Sequence, residues 1–207
     1  MTDFFAVLGV PRRPFPDPAE LKSRWVQLCG ELHPDRIQAS GDAVQRADAN
    51  TQSAKANEAY RVLSHDAPRL GHLLELELGK KPSDLLQMPE PMMELFVEVG
   101  QLNRKADGLI AEKQAAVSPL LKAQCMGHSL DLLDTIQTLQ SRVHDEIARM
   151  TEAGRALNAA WGSAPDSGNP DRLAQLPIHE LEEAWRRFGF LTRWHEQLSS
   201  RAASLAF

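Results

Sequence analysis

Apolar residues along this chain recur at intervals of three and four, which is the spacing of one face of an α-helix. Before Pro34 they fall at Leu21, Trp25, Leu28 and Leu32. No stretch alternates apolar and polar residues for long, and aromatic residues make up only 6% of the chain, which disfavours a sheet. The pattern predicts an all-α protein.

Capping residues mark a first long helix that leads into a helical hairpin. Asp17 can accept bonds from free backbone N–H groups, and Pro18 suits the first helical position. The helix must end before Pro34, whose ring disfavours the helical conformation of the preceding residue. After a loop over residues 35–42, a second long helix is predicted over residues 43–63. Two amphipathic helices joined by a loop are expected to pack antiparallel.

Shorter helices complete this N-terminal part. The first covers residues 3–8 and is stopped by Gly9, and another covers residues 69–78 and is stopped by Gly79. The inward residues of the second long helix are small, which permits close approach of a partner helix. They are Ala49, Ala56 and Ala59, followed by Tyr60 and Leu63.

The composition changes between residues 80 and 91, where lysines and prolines bracket a short leucine-containing piece. We therefore predict an N-terminal domain over residues 1–79, a linker over 80–91 and a second domain over 92–207. Three long helical patterns follow the linker, over residues 92–113, 129–161 and 178–207, with a loop over 162–177. Their sustained spacing predicts a three-helix bundle with coiled-coil-like packing.

Charge and cysteine content exclude several classes of protein. The formal net charge is -5, whereas a nucleic-acid binder normally carries a surplus of Lys and Arg. The two cysteines, Cys29 and Cys125, are far apart, which excludes a disulfide scaffold and fits a reducing compartment such as the cytoplasm. No apolar run approaches the roughly 20 residues that span a bilayer. Cys125 and His128 have metal-like spacing, but a zinc site needs further ligands, so we expect neither metal nor cofactor.

The sharpest local signal is the tripeptide His33-Pro34-Asp35 between the two long helices. A polar tripeptide at the tip of a helical hairpin offers an imidazole and a carboxylate to a partner. A simple turn is the other interpretation, with Pro34 as helix stop and Asp35 as a cap. A hydrolase that uses His33 and Asp35 would need further convergent groups in a pocket, which adjacent positions on an exposed turn do not supply.

The chain resembles the J-domain co-chaperones of DnaK-class chaperones. The matching residues are Asp3-Phe4-Phe5, Leu8-Gly9, His33-Pro34-Asp35-Arg36 and Asn57-Glu58-Ala59-Tyr60-Arg61-Val62-Leu63-Ser64. Within these proteins it is most similar to the HscB family of iron–sulfur cluster assembly, through the order and size of its parts and the segment Pro68-Arg69-Leu70-Gly71-His72-Leu73-Leu74-Glu75-Leu76. Leu32 stands where the family often has an aromatic residue, and Arg36 replaces the usual Lys.

The resemblance implies a co-chaperone without enzymatic activity of its own. It implies that the J-domain docks on an HscA-like chaperone and stimulates its ATP hydrolysis. Lys22 and Arg24 would steer the encounter, Asp35 would pair with a chaperone cation, and His33, Pro34 and the adjacent Arg36 would complete the contact.

Apolar residues on polar helix faces indicate a second binding surface. Met93, Phe96 and Val97 fall away from the inward Leu95 and Leu102 at about 100° per residue. On the last helix, Phe190 and Trp194 are likewise expected among polar residues. Such a surface suits a protein partner, although packing against the J-domain or a loop would explain it equally well.

The HscB resemblance implies that Met92, Met93, Phe96 and Phe190 bind the IscU-like scaffold, on which clusters are built. The expected function is then delivery of that scaffold to the chaperone. The alternative is a J-domain adaptor that recruits a different client to a general DnaK chaperone.

Overall fold

The computed structural model describes residues 1–32, 43–83 and 88–206, with the side chains of residues 43–46 also outside the description. Every regular element in these ranges is helical, which confirms the all-α prediction. The α-helices are α1 (Phe4–Leu8), α2 (Pro18–Glu31), α3 (Ala43–Leu63), α4 (Asp66–Leu78), α5 (Met93–Ala115), α6 (Pro119–Gly154), α7 (Asn158–Ser163), α8 (Arg172–Gln175) and α9 (Ile178–Ala206). Two 3₁₀ turns lie at Glu90–Met92 and Arg155–Leu157.

The chain forms two compact units, and their composition differs from the predicted domains. The first unit comprises Met1–Asp84 and Thr151–Trp185, and the second comprises Leu85–Met150 and Arg186–Phe207. The sequence pattern had assigned all of residues 92–207 to the bundle. Side-chain hydrogen bonds explain why residues 151–185 belong with the N-terminal part: they join Asn158 to the backbone of Phe15 and Arg172 to Glu77.

Caps begin and end the first two helices, and those at Gly9 and Asp17 are the ones that the sequence predicts. The Asp3 carboxylate accepts from the backbone N–H groups of Phe5 and Ala6 at the start of α1. Gly9 ends α1 with φ of 66°, a left-handed conformation that glycine adopts without steric cost. Asp17 caps α2 by accepting from Ala19 N–H. These local bonds set where the hairpin begins.

The core of the first unit is built on the small face of α3. Ala56, Ala59 and Leu63 are fully buried, as predicted from their spacing. Phe5 and Leu8 of α1 are also fully buried, so α1 contributes its apolar side to the same unit. Close packing against alanine positions brings helices together with few large side chains between them.

The second unit is a bundle of α5 with the larger part of α6 and the C-terminal part of α9. Its buried apolar residues repeat at intervals of three, four or seven along all three helices. They include Val99, Leu102, Ala106, Leu109, Ile136, Leu139, Val143, Leu191, Leu198 and Leu205. Polar bridges cross between helices at the rim, including Asn103 Nδ2 to Gln197 Oε1 at 3.0 Å and Gln140 Nε2 to Ser199 Oγ at 2.9 Å.

Two predicted boundaries in the C-terminal half were wrong. Helix α6 begins at Pro119, ten residues before the predicted start, because Ser118 Oγ caps it by accepting from Leu121 N–H at 3.2 Å. The predicted loop over residues 162–177 contains the short helix α8. Among the described residues, no helix combines the length and the apolar character needed to cross a membrane.

Candidate functional site

The predicted chaperone-binding residues divide between described and undescribed parts of the chain. Lys22 and Arg24 lie on α2 with exposed side chains. Helix α2 ends at Glu31 and its C-terminal cap is Leu32. The tripeptide His33-Pro34-Asp35 and the adjacent Arg36 follow immediately and lie outside the described residues. The structure therefore places the basic residues on the surface of the helix that leads to the tripeptide.

An aromatic contact holds α2 against α3 on the same hairpin. The Trp25 and Tyr60 rings stack with centroids 4.5 Å apart and an interplanar angle of 11°. Trp25 Nε1 donates a hydrogen bond to Asn57 Oδ1 at 2.9 Å. One side chain of α2 thus contacts two residues of α3 one turn apart, which limits sliding of α2 along α3.

His72 joins α1 to α4 through a hydrogen bond that requires a neutral ring. Its Nε2 accepts from the backbone N–H of Phe4 at 3.1 Å, and its ring lies 4.5 Å from the Phe4 ring. Burial lowers the pKa of His72, while the Asp3 and Glu75 carboxylates raise it to a lesser extent and Arg12 lowers it further. Protonation at Nε2 would replace the acceptor with a donor and break the contact.

Three residues of the predicted scaffold-binding surface are exposed. Met93, Phe96 and Val97 of α5 have exposed fractions of 47%, 46% and 46%. Their spacing of three and four places them on one face of the helix. Half-exposed apolar side chains grouped in this way form a surface that a partner could cover.

Helix α9 continues this surface through Phe190. Phe190 is half-buried, and its ring lies 6.0 Å from that of Trp194, which in turn lies 6.3 Å from the Phe96 ring. The Arg193 guanidinium lies 4.7 Å from the Phe190 ring centroid, a cation–π distance. Met93, Phe96, Val97 and Phe190 are hereafter called the apolar patch.

The structure corrects two residues of that prediction. Met92 is 2% exposed and Trp194 is 5% exposed, so neither presents a surface to a partner. Trp194 lies beneath the apolar patch and contacts Phe96 and Phe190 from below. Met92 is the last residue of the 3₁₀ turn before α5, where its orientation does not follow the helical period.

Drift of the buried face along α9 explains the error at Trp194. A straight α-helix rotates its heptad positions by about 20° per repeat, and α9 has 29 residues. The face set by Leu181 and Phe188 at its start has therefore rotated toward Leu191 and Leu198 later on. Trp194 is three residues after Leu191 and four before Leu198, and this local spacing was the signal that could have placed it inside.

The described residues contain no group of three or more His, Cys, Asp or Glu side chains arranged to hold a metal ion. Cys125 is buried, while His128, three residues later, is exposed. The two side chains are neighbours on α6, but a zinc site needs three or four protein ligands.

Comparisons with known proteins give a partial sequence match and a full-length structural match. No family model matches the chain. It is 39% identical over 74 residues to a protein of Chromobacterium violaceum named co-chaperone protein HscB homolog, and 38% identical over 73 residues to one of the same name from Bordetella pertussis. These segments are 36% and 35% of this chain, and 42% of each relative. The match therefore spans less than half the length of those relatives.

Two solved structures superpose on nearly the whole chain. Chaperone HscB from Vibrio cholerae has a TM-score of 0.54 and 18% identity, with 99% of both chains covered. Human co-chaperone protein HscB has a TM-score of 0.57 and 18% identity, over 98% of this chain and 81% of that one. The chain has the HscB fold. The resemblance inferred from the sequence is thereby confirmed, as is the fold class of a J-domain followed by a helical bundle.

Proposed function

We propose that this chain is a co-chaperone that stimulates ATP hydrolysis by an HscA-like chaperone of the DnaK class and delivers an IscU-like scaffold protein to it. The protein would act in the cytoplasm and perform no catalysis itself. The observation that carries the proposal is the combination of an HscB fold with a separate exposed apolar patch in the second unit. Each unit would then bind one of the two partners.

The basic residues of α2 support the chaperone contact. Lys22 and Arg24 are exposed on one hairpin helix, which leads directly to His33-Pro34-Asp35. Exposed cations accelerate association with an acidic surface and make it sensitive to salt. In this proposal Asp35 pairs with a cation of the chaperone, and His33, Pro34 and Arg36 contact it alongside. Binding favours the chaperone state that hydrolyses ATP, so the effect is allosteric.

The apolar patch supports the scaffold contact. Met93, Phe96 and Val97 lose exposed apolar area when a partner covers them, which is favourable by about 25 cal/mol per Å². Buried Trp194 holds the rings of Phe96 and Phe190 in place, so little side-chain freedom is lost on binding. A scaffold bound here reaches the chaperone at high effective concentration because both bind one chain.

The decisive experiment is single-turnover ATP hydrolysis by the HscA-like chaperone, with this protein alone and then with the scaffold added. We expect stimulation that rises more than additively when scaffold is present. Stimulation indifferent to scaffold would refute the iron–sulfur assignment and favour the adaptor with a different client. If the chaperone is not stimulated, a general DnaK in the same assay tests whether that chaperone is the partner instead.

Variants assign each contact to its residues. Asp35→Asn removes a charge without changing shape, and we expect it to abolish stimulation while scaffold binding persists. Reversal of either α2 cation alone, Lys22→Glu or Arg24→Glu, should slow association at low salt. Lys55→Glu is the matched control, since Lys55 is exposed on α3. If the α2 variants and Lys55→Glu slow association equally, the association rate depends only on the net charge of the protein and not on the α2 cations.

For the scaffold contact, Phe96→Ala should weaken binding in calorimetric titration and leave stimulation without scaffold unchanged. The control is Leu173→Ala, because Leu173 is similarly exposed, at 45% against 46% for Phe96, and lies in the first unit. Unaltered scaffold affinity for both Phe96→Ala and Phe190→Ala would refute the role of the apolar patch.

A further inference from the structure

A second apolar surface lies on the outer side of α6, apart from the apolar patch. Leu120, Met126 and Leu130 are 70%, 53% and 60% exposed. Ala123 and Gly127 lie between them and are also exposed. At about 100° per residue, Leu120, Ala123, Gly127 and Leu130 fall within about 40° of one line along the helix. These four residues are called the α6 stripe.

The α6 stripe faces away from the core of its own bundle. Cys125, at its centre in sequence, is 9% exposed and Ile136 is fully buried, and both belong to the opposite side of the helix. A solvent-facing helix surface normally carries charged or polar residues. Three turns without any charge are therefore unusual for a surface that only meets water.

The spacing within the α6 stripe is the same when read in either direction. Ala123 and Gly127 stand two residues before and after Cys125, and Leu120 and Leu130 stand five before and after it. In two antiparallel copies of this helix crossing opposite Cys125, Leu120 of one lies level with Leu130 of the other. Ala123 lies level with Gly127 in the same way. Large residues then meet large ones, and the small pair at the centre lets the backbones approach.

Charges at the ends of the α6 stripe complement each other in this arrangement. Helix α6 has 36 residues and no acidic side chain in its first turn, so its positive N-terminal end lacks an acidic partner there. Antiparallel pairing places exposed Asp131 level with Pro119 of the second copy, and exposed Asp134 about one turn further along. Carboxylates near a helix N-terminus are stabilising.

We propose that two copies of this chain pair through the α6 stripe, with their α6 helices antiparallel about a two-fold axis. An isologous contact of this kind requires a self-complementary surface, which the symmetric spacing and the Asp131–N-terminus charges provide. The contact extends over about 15 Å of helix, so the association belongs to the weak and transient class. It leaves the apolar patch of each copy free.

Sedimentation velocity of the full chain over about a hundredfold range of concentration tests the pairing, because a weak dimer follows mass action. We expect the weight-average sedimentation coefficient to rise from the monomer toward the dimer value. Added salt should reduce the rise by screening Asp131 from the helix end. A monomer at every concentration overturns the proposal and leaves the α6 stripe to a different protein.

The chain supplies a matched pair of variants for this experiment. A Cβ atom at Gly127 or at Gly108 of α5 meets nothing within 4 Å, and both glycines are exposed in helices, so Gly→Glu has the same local effect at each. Gly127→Glu would bury two unpaired carboxylates at the centre of the dimer and should weaken pairing about tenfold or more. Gly108→Glu should pair like the original chain. Equal behaviour of the two variants contradicts the proposed interface.

A charge variant tests the antiparallel direction. Asp131→Lys places a cation beside the positive end of the second copy's α6, and we expect it to weaken the dimer and to reverse the effect of salt. If Asp131→Lys dimerises as well as the original chain while Gly127→Glu does not, the stripe pairs in another direction and the antiparallel assignment is wrong.

Discussion

The two units of this protein stabilise their helices in different ways. The first unit buries charged groups: Glu77 and Arg172 have side-chain exposures of 2% and 9%, with Arg172 Nε to Glu77 Oε2 at 2.7 Å. In the second unit the ion pair between Arg142 and Glu98 is much more open, with side-chain exposures of 51% and 34%. The bundle therefore depends on its apolar repeat, whereas the first unit also depends on fully paired buried charges.

The buried ion pair of the first unit is built around the Glu77 carboxylate. It accepts two hydrogen bonds from Arg172, each at 2.7 Å, and a third from Trp161 Nε1 at 3.3 Å. The hydrogen bonds between Arg172 and Glu77 raise the pKa of Arg172, and the three bonds together join α4 to α7 and α8. A buried charge that loses its partner is costly, while an exposed one is rehydrated. The same substitution should therefore have unequal effects in the two units.

Loss of a buried guanidinium is the largest expected effect. Arg172→Met leaves Glu77 buried without a charged partner, and we expect the free energy of unfolding to fall by about 3–5 kcal/mol. Arg142→Met is the control in the second unit and should cost about 0–1 kcal/mol. Urea denaturation followed by circular dichroism measures both. Similar costs for the two variants would show that burial of the ion pair does not distinguish the units.

Replacement of a glycine by alanine is expected to change stability in opposite directions in the two units. A Cβ atom at Gly154 would lie 2.4 Å from Phe15 Cε2, so Gly154→Ala should destabilise the first unit by about 1–3 kcal/mol through overpacking. At Gly108 the same Cβ has open space, and Gly108→Ala should stabilise α5 by about 0.5–1 kcal/mol. Thermal unfolding of both variants checks this, and a Gly154→Ala protein more stable than the original chain contradicts the close contact.

The smallest effect is a pH dependence confined to the first unit. Because the pKa of His72 is lowered in the folded protein, the unfolded chain binds its proton first as the pH falls. The stabilisation is thus complete well above about pH 6.5 and decreases below it. We expect the melting temperature to fall between about pH 7.5 and pH 5.5, and His72→Gln to reduce that fall. A fall of the same size in the variant would assign the pH dependence to other groups.

Local chemistry made much of the hairpin predictable from the sequence. Gly9 and Asp17 act on backbone groups within a few residues of themselves, and the structure has both caps where they were expected. The Asp3 cap was not predicted, because residue 3 was assigned to the helix itself. The span of α3 was also predicted correctly. Capping and helical period depend on residues that are close in sequence, so a single amino-acid sequence is enough to predict them.

The apolar patch was predictable only in part. Met93, Phe96 and Val97 are exposed as the helical period indicated, because they lie at the start of α5 where the face had not yet drifted. Trp194 was misplaced because the drift accumulates along α9. Periodicity gives the direction of a side chain relative to its own helix, and it does not give the position of the neighbouring helices.

By itself, the sequence determined the helical class, the caps, the hairpin and the resemblance to HscB, because each depends on short-range spacing or on a local motif. Only the tertiary structure decided that residues 151–185 belong to the first unit, that Glu77 and Arg172 pair, and that Trp194 lies beneath the patch. Glu77 and Arg172 are 95 residues apart in sequence, and no local pattern marks one as the partner of the other. Such contacts arise when the folded chain brings distant side chains together and removes them from water.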